Sequence, residues 1–559
     1  MPDNTSPITP RLARAEQVFP TLTPAQIARI APHGRVRATR AGEVLIEAGD
    51  KVVPFFVVTA GHVEVVRPSA GVDTLIVVHA AGQFTGEANM ISGRRALFRA
   101  RAVDAGSVIE LDREQMVALV QTDAELSEIL MRAFIFRRLE LVESHVGDAV
   151  LIGSMHSPGT LRIKEFLTRN SHPHLYLDLD KDTDVQALLD KFKVAVTEIP
   201  VLICRGDAVL RNPSNQEIAR CLGFNDAIDQ THVRDLVIVG AGPAGLAAAV
   251  YGASEGLDVL VLESNAPGGQ AGSSSRIENY LGFPTGISGQ ELASRAHTQA
   301  QKFGAQIIIA RTATRLTCDR KPYAMSIDDD ATRIPARAVI IATGVQYRRL
   351  AVDNLSQFEG AGIYYGATFI EAQLCGGEEV IVVGGANSAG QAAVFLAQTA
   401  RRVQMFIRSD GLADTMSRYL IRRIEENPAI VLRTHTEIVA LEGSDRVERV
   451  RWRNNKTGAV ETENIGHVFV MTGAVPNTVW IHGCVALDEK GFIKTGPDLS
   501  PDDLAQAHWP LARAPHLLET SLPSVFAVGD VRGGNIKRVA SAVGEGSIAV
   551  SFVHQALHE

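Results

Sequence analysis

The chain has 559 residues, 46% of them apolar and 21% charged, with a formal net charge of −8. That balance is ordinary for a globular protein and offers no basic footprint for nucleic acid or an anionic membrane. At about 100–200 residues per domain, the length accommodates roughly three to five domains.

Residues 14–35 read as helical. Over 36–110, short alternating strands are punctuated by Gly42, Gly49, Gly61, Gly71 and Gly82, the pattern of a small β-barrel or jelly roll. Helical periodicity returns over 113–147. The first domain, 14–147, resembles a cyclic-nucleotide-binding domain. In that family a Gly-Glu pair opens the phosphate cassette and the Glu contacts the ribose, and Gly86 and Glu87 match it. The family's phosphate-binding Arg lies about nine residues further on, where Ala96 or Leu97 stands here; Arg94, Arg95 and Arg99 flank the position. A single bidentate Arg carries much of such a site. Two readings stay open: a barrel that takes a cyclic nucleotide, and one that senses another ligand or packs on the rest of the chain.

Residues 149–224 read as β-α-β-α-β-β-α, an α/β module that includes a helix over 184–194. It resembles a thioredoxin or glutaredoxin fold. Ile199–Pro200 matches the cis-proline site of that fold. Where its C-x-x-C would open the first helix stands Ser157-Pro158-Gly159-Thr160. Ser157 can cap that helix and Pro158 can occupy its first turn, but neither exchanges disulfides. A docking or linking role follows. His156 beside it reads as a surface loop histidine.

From residue 235 strands alternate with helices, which predicts doubly wound parallel sheets. The longest apolar run, 236–253, contains Pro243 and is dense in glycine, so it reads as strand, turn and helix and not as a membrane span. It carries a dinucleotide fingerprint: Gly240 for the tight turn, Gly242 for close approach of backbone to pyrophosphate, Gly245 for close helix packing. Glu263 ends the next strand and can accept from a ribose hydroxyl. A second, looser fingerprint starts at Gly384, with Ala386 and Ala389 at the other glycine positions. Arg408 stands where an acid would select NADH, and Arg418 follows in the next segment. The basic residue favours NADPH over NADH.

The spaced motifs resemble the low-molecular-weight thioredoxin reductase group of FAD proteins. GGQ at 268–270, IENYLGFPTGISG at 277–289, ATG at 342–344, TG at 472–473 and AVGD at 527–530 occur in order. The resemblance implies an FAD domain made of 235–347 and 477–559, an inserted NAD(P)H domain at 348–476, and a homodimer. It implies that Gly240, Gly242, Pro243, Ala244, Gly245, Glu263 and Ser264 hold the ADP half of FAD. By the same resemblance Gly269, Gln270, Asn279, Ala342, Thr343, Gly344, Gly529 and Asp530 line the ribityl and flavin side, and Lys537, Arg538 and Val539 reach the pyrimidine edge. Gly384, Asn387, Ser388, Ala389, Arg408 and Gly473 belong to the NAD(P)H site.

The chain departs from that group at its redox dithiol. The two cysteine positions are Gly366 and Phe369. No side chain is therefore assigned as catalytic, and no metal ligands are evident at His554 and His558 or elsewhere. The five cysteines, Cys204, Cys221, Cys318, Cys375 and Cys484, form no C-x-x-C pair, which reads as a reducing compartment. The N-terminus lacks a signal-peptide core, so the expected location is the cytoplasm. The resulting expectation is an FAD-dependent NAD(P)H oxidoreductase that passes electrons to an unknown acceptor and is regulated through its N-terminal domain. A flavin-containing redox or nucleotide sensor is the alternative. A disulfide reductase working through Cys375 or Cys484 is a third reading.

Overall fold

The computed structural model describes residues 15–69, 72–182, 189–190, 194–195, 198–328, 332–413 and 416–559. The helix expected over 184–194 lies largely outside the described residues.

The N-terminal domain is a pair of antiparallel sheets. One runs Arg35–Thr39, Gly106–Leu111, Phe55–Ala60; the other Val44–Ile46, Arg99–Ala102, Val63–Ser69, Val72–His79. Phe55, Phe84 and Phe134 meet edge-on or tilted in the core beneath them, 5.6 to 6.2 Å apart. Aromatic pairs in that range add about 0.5–1.5 kcal/mol beyond area burial. The single helical stretch read over 113–147 is two helices, Arg113–Thr122 and Ala124–Glu143 (α1). Asp123 breaks it: its backbone is extended at φ −111° and its carboxylate accepts from the Leu126 N–H as an N-cap. The stretch 14–35 likewise divides at Thr23, which caps Pro24–Ile30 with a reciprocal Gln26 bond.

The middle module has four strands in the order Ala208–Arg211, Val201–Cys204, Ala149–Gly153, His174–Asp178. Ala149–Gly153 pairs in parallel with His174–Asp178, and the other pairs are antiparallel. Helix Pro158–Arg169 (α2) follows the first strand, and the Ile199–Pro200 peptide is cis. Ser157 occupies the N-cap of α2 but makes no side-chain bond to the helix, contrary to expectation. Its hydroxyl leaves the first turn open.

In the third unit, strands Gln306–Ile309, Val259–Glu263, Arg234–Val239, Thr332–Ile341 and Val525–Ala527 are parallel neighbours. Helices Pro243–Ser254 (α3), Gly289–Lys302 (α4) and the C-terminal Val539–Leu557 (α7) pack on this sheet. Inserted between Thr332–Ile341 and Val525–Ala527 is a second parallel sheet, ordered Ile363–Tyr364, His467–Val470, Glu379–Val383, Arg402–Phe406, Ile430–Arg433. It carries helices Phe369–Leu374 (α5) and Asn387–Leu396 (α6). The two crossings between these sheets run side by side, as Val345–Tyr347 pairs antiparallel with Ala474–Pro476. Thr343 Oγ1 donates to Asn477 O and Asn477 Nδ2 donates to Thr343 O, both at 2.9 Å, closing the ribbon at one end.

Cys318 and Cys484 are joined in a disulfide, their Cα atoms 5.9 Å apart. The chain returns to the first sheet only after the inserted domain, so 166 residues separate two cysteines that the fold makes neighbours. Cys204, Cys221 and Cys375 are free. Among the described residues no helix is long and apolar enough to cross a membrane.

Candidate functional site

The loops after strands Arg234–Val239, Val259–Glu263, Thr332–Ile341 and Val525–Ala527 meet at the carboxyl end of the first parallel sheet. Gly240 leaves its strand at φ +103°, and a Cβ there would sit 2.3 Å from Ala342 O. Gly245, one turn into α3, would put a Cβ 1.9 Å from Gly240 O. Both positions are closed to any side chain by backbone. Gly242 differs: the nearest atom to a Cβ there is Gly269 Cα at 3.9 Å. The loop is bare at that point and faces Gly268 and Gly269, which is tied in by Gly268 N–H donating to Ala241 O at 2.7 Å.

The helix ends support the same reading. Gly242 caps α3 without any side-chain bond, and Pro243 fills its first turn. Ala386 caps α6, also without one. By contrast Asp112, Ser214 and Ser288 satisfy the first turns of their helices. The first backbone N–H groups of a helix need a partner, and a phosphate at the positive end of the dipole supplies it. The cradle fits a dinucleotide at both places.

Glu263 is 8% exposed and braces the first loop, accepting from Ala241 N–H at 2.8 Å and Asn265 N–H at 2.9 Å. Burial raises its carboxyl above the usual range, while those two donors act to lower it. Ser264 beside it is exposed. Gln270 Nε2 donates to Val345 O at 2.7 Å, linking the GGQ loop to the ribbon between the sheets. Gly529 packs against Ala244 and donates to Glu545 at 2.7 Å. Burial raises the Asp530 carboxyl, with Lys537 opposing. Lys537 Nζ donates to Asp530 O at 3.1 Å and lies over the Phe492 ring. Arg538 and Val539 open α7 beside it. These contacts bring the loops together, whereas Asn279 is exposed and, among the described residues, makes no hydrogen bond to them.

At the second sheet Gly384 has φ +143°, with Met471 O 2.5 Å from where its Cβ would be. Ala389 is fully buried in the third glycine position. Asn387 Oδ1 accepts from Ser417 N–H at 2.8 Å, and Ser388 meets the Tyr347 hydroxyl. Gly473 lies under the Arg348 side chain. Arg408 and Arg418 are exposed, and among the described residues neither forms a salt bridge.

Phe369, where the dithiol would lie, is 69% exposed at the first turn of α5, and Gly366 has open space around it. Cys375 closes α5 from inside. It is fully buried and donates to Glu371 O at 3.4 Å, and burial pushes its thiol up to about 11. The middle module sits against this helix. A cavity of about 240 Å³ is walled by Leu161, Lys164 and Tyr176 on one side and Ile370, Gln373 and Leu374 on the other. Pro158 Cβ is 3.0 Å from where a Gly360 Cβ would be.

In the N-terminal domain Gly86 has φ +101° and Glu87 pairs with Arg138 at 3.3 Å. Sequence reasoning named three arginines as replacements for a phosphate ligand, and all three are committed elsewhere. Arg94 is buried, donates to Asn170 O at 3.1 Å and lies over the Phe224 ring. Arg95 donates to Gly49 O, and Arg99 pairs with Glu47 and Asp73. A basic residue missed by that reasoning, Arg137 on α1, lines the domain's cavity instead.

Fold and loops together define a two-dinucleotide oxidoreductase. The pyridine nucleotide-disulphide oxidoreductase family model matches residues 234–546, and the chain belongs to that family as an NAD(P)H-dependent FAD oxidoreductase. A cyclic nucleotide-binding domain model matches residues 36–123. The thioredoxin reductase of Treponema pallidum is 32% identical over 315 residues, 56% of this chain and 94% of its own length. That of Mycolicibacterium smegmatis is 33% identical over 323 residues, 57% of this chain and 94% of its own. Among solved structures, the Lactococcus lactis thioredoxin reductase superposes with TM-score 0.52 at 27% identity, covering 58% of this chain and 99% of that one. The T. acidophilum thioredoxin reductase gives 0.51 at 28%, with 58% and 98% covered.

Proposed function

We propose that this chain passes electrons from NAD(P)H through FAD to an acceptor other than thioredoxin, without a thiol pair in its reductase body, under control of its N-terminal domain. The observation that carries this is the exposed Phe369 at the dithiol position, with the single nearby thiol, Cys375, buried and protonated. A thiol held near 11 supplies almost no thiolate at neutral pH, and thiolate is the species that attacks.

FAD, when bound, accepts the hydride of the nicotinamide and releases electrons singly or in pairs. The chain's part is to bind and orient. Gly240, Gly242 and the open first turn of α3 hold the pyrophosphate, and Glu263 keeps that loop in place while facing the ribose. Gln270, Asp530 and Lys537 line the path toward the ring, and Arg538 and Val539 bring the start of α7 to its polar edge. Arg408 and Arg418 meet the 2′-phosphate of NADPH, with Asn387, Ser388 and Ala389 behind the pyrophosphate. The paired strands Val345–Tyr347 and Ala474–Pro476 are the hinge about which the two sheets reorient.

The test is an anaerobic titration of the full chain with NADPH and, separately, NADH, following the flavin absorbance, then addition of thioredoxin. Bleaching by NADPH with no reoxidation by thioredoxin is the expected result. Rapid reoxidation by thioredoxin overturns the acceptor reading. Bound flavin that neither donor bleaches overturns the enzyme reading in favour of a sensor.

A further inference from the structure

The cavity of the N-terminal barrel, about 100 Å³, is walled mainly by Ile46, Val65, Ile76 and Leu97. Among the described residues, two buried polar atoms in its wall have no hydrogen-bond partner. One is Arg137 Nη2, on a residue 7% exposed; the other is His79 Nδ1, on a residue 2% exposed. Arg137 does make hydrogen bonds, but only to neutral carbonyls: Nε to Val18 O at 2.9 Å, Nη1 to Phe84 O at 3.1 Å and Gly86 O at 2.7 Å. Phe19 and Phe84 lie against its guanidinium. Two carboxylates line the same cavity, Glu87 and Glu140; neither bonds Arg137, and Glu87 is taken by Arg138. Glu87 acts on Arg137 only at a distance, so the buried guanidinium has no hydrogen-bonded carboxylate, and a buried donor without an acceptor is costly.

The wall where a cyclic phosphate would need its Arg is Ala96 and Leu97, both 7% exposed. The cavity is therefore apolar at that end and cationic at Arg137. We infer that the barrel binds a monoanion with an apolar body, a carboxylic acid whose carboxylate pairs with Arg137 Nη2 and accepts from His79 Nδ1–H while its hydrocarbon part fills the space beside Leu97. Charge-assisted bonds to carboxylate from a planar guanidinium suit that geometry. The inference concerns binding and stands whether or not NAD(P)H reduces the flavin.

The experiment is calorimetric titration of the full chain, without NAD(P)H, with octanoate, 2-naphthoate, 1-octanol and cyclic AMP. A carboxylate binding at least about tenfold more tightly than 1-octanol is the expected result, and the better of the two acids sets the shape of the apolar body. Arg137→Met removes that advantage. Because Arg137 also ties down three carbonyls, Ala96→Phe serves as the second variant: it fills the cavity, leaves both polar atoms intact and abolishes carboxylate binding. Octanol binding as well as octanoate overturns the inference. So does cyclic AMP binding more tightly than either acid, or an Ala96→Phe protein that binds like the wild type.

Discussion

Arg169 Nη2 donates to Gly269 O at 2.7 Å, joining the last turn of α2 in the middle module to the loop that faces Gly242. The next residue repeats the link: Asn170 Nδ2 donates to Asn265 O, while Asn170 O accepts from Arg94 of the barrel. One helix end thus holds the barrel on one side and two points of the FAD-side 264–269 loop on the other. Arg169→Met removes a charge-assisted bond of about 1.5–3 kcal/mol. FAD affinity, read by equilibrium dialysis, falls about tenfold, with the NADPH-over-NADH ratio unchanged. Undiminished affinity means the contact only attaches the module.

The three glycines of the first fingerprint have different jobs and fail differently. Gly245→Ala pushes a methyl into Gly240 O, so the apoprotein itself loses about 1–3 kcal/mol, seen as a lower Tm. Gly242→Ala meets nothing close, so the apo Tm holds, yet the methyl occupies the face the pyrophosphate must approach. FAD content drops about tenfold or more on that variant alone. Equal Tm losses for both overturn the assignment.

Arg408 is exposed and is expected to select the donor. Arg408→Asp shifts the kcat/KM ratio toward NADH by at least about tenfold, roughly 1.4 kcal/mol, because it replaces attraction for the 2′-phosphate with repulsion. An unchanged ratio assigns the choice to Arg418.

Cys375→Ser leaves NAD(P)H oxidation within about twofold of wild type, since a thiol pushed up to about 11 is protonated across the working range. Native alkylation by iodoacetamide stays slow at pH 8 and accelerates only toward pH 11. A serine variant that loses turnover restores the thiol reading.

Buried histidines set an acid limit. His174, 8% exposed, is pushed down to about 4 by burial, and burial also lowers His172. The unfolded chain protonates both near 6.5, so it binds more protons below that value. Stability is complete above about pH 6.5 and declines toward pH 4. His174 alone withdraws about 2 kcal/mol at pH 5. Denaturant midpoints at pH 7 and 5 measure the loss, and His174→Gln flattens it.

Much of the reductase body was legible because its steric demands recur locally. Gly245 is closed by the Gly240 carbonyl within a few residues of sequence, and a strand, turn and helix announce both glycines. The barrel's strands were legible from their glycines. Asp123 was readable as a cap, yet continuous apolar periodicity on both sides hid the break it makes. The Cys318–Cys484 bond was not legible, because the inserted domain separates the pair. Arg137 was missed because nothing in FIFRRLE distinguishes a helix arginine turned into a barrel from one facing water. Its signal was the absence of any arginine at Ala96 and Leu97, which asked where else a cation would come from.

The contact of Pro158 with Gly360, and of α2 with α5, has a kinetic meaning. The middle module rests against α5 and shares its chain, so it competes with any acceptor for that face at an effective concentration on the order of millimolar. A free protein of similar shape, at micromolar levels, is outnumbered about a thousandfold before any difference in affinity counts. If an acceptor docks at α5, an outside one must pass beside the module or bind where the module does not reach.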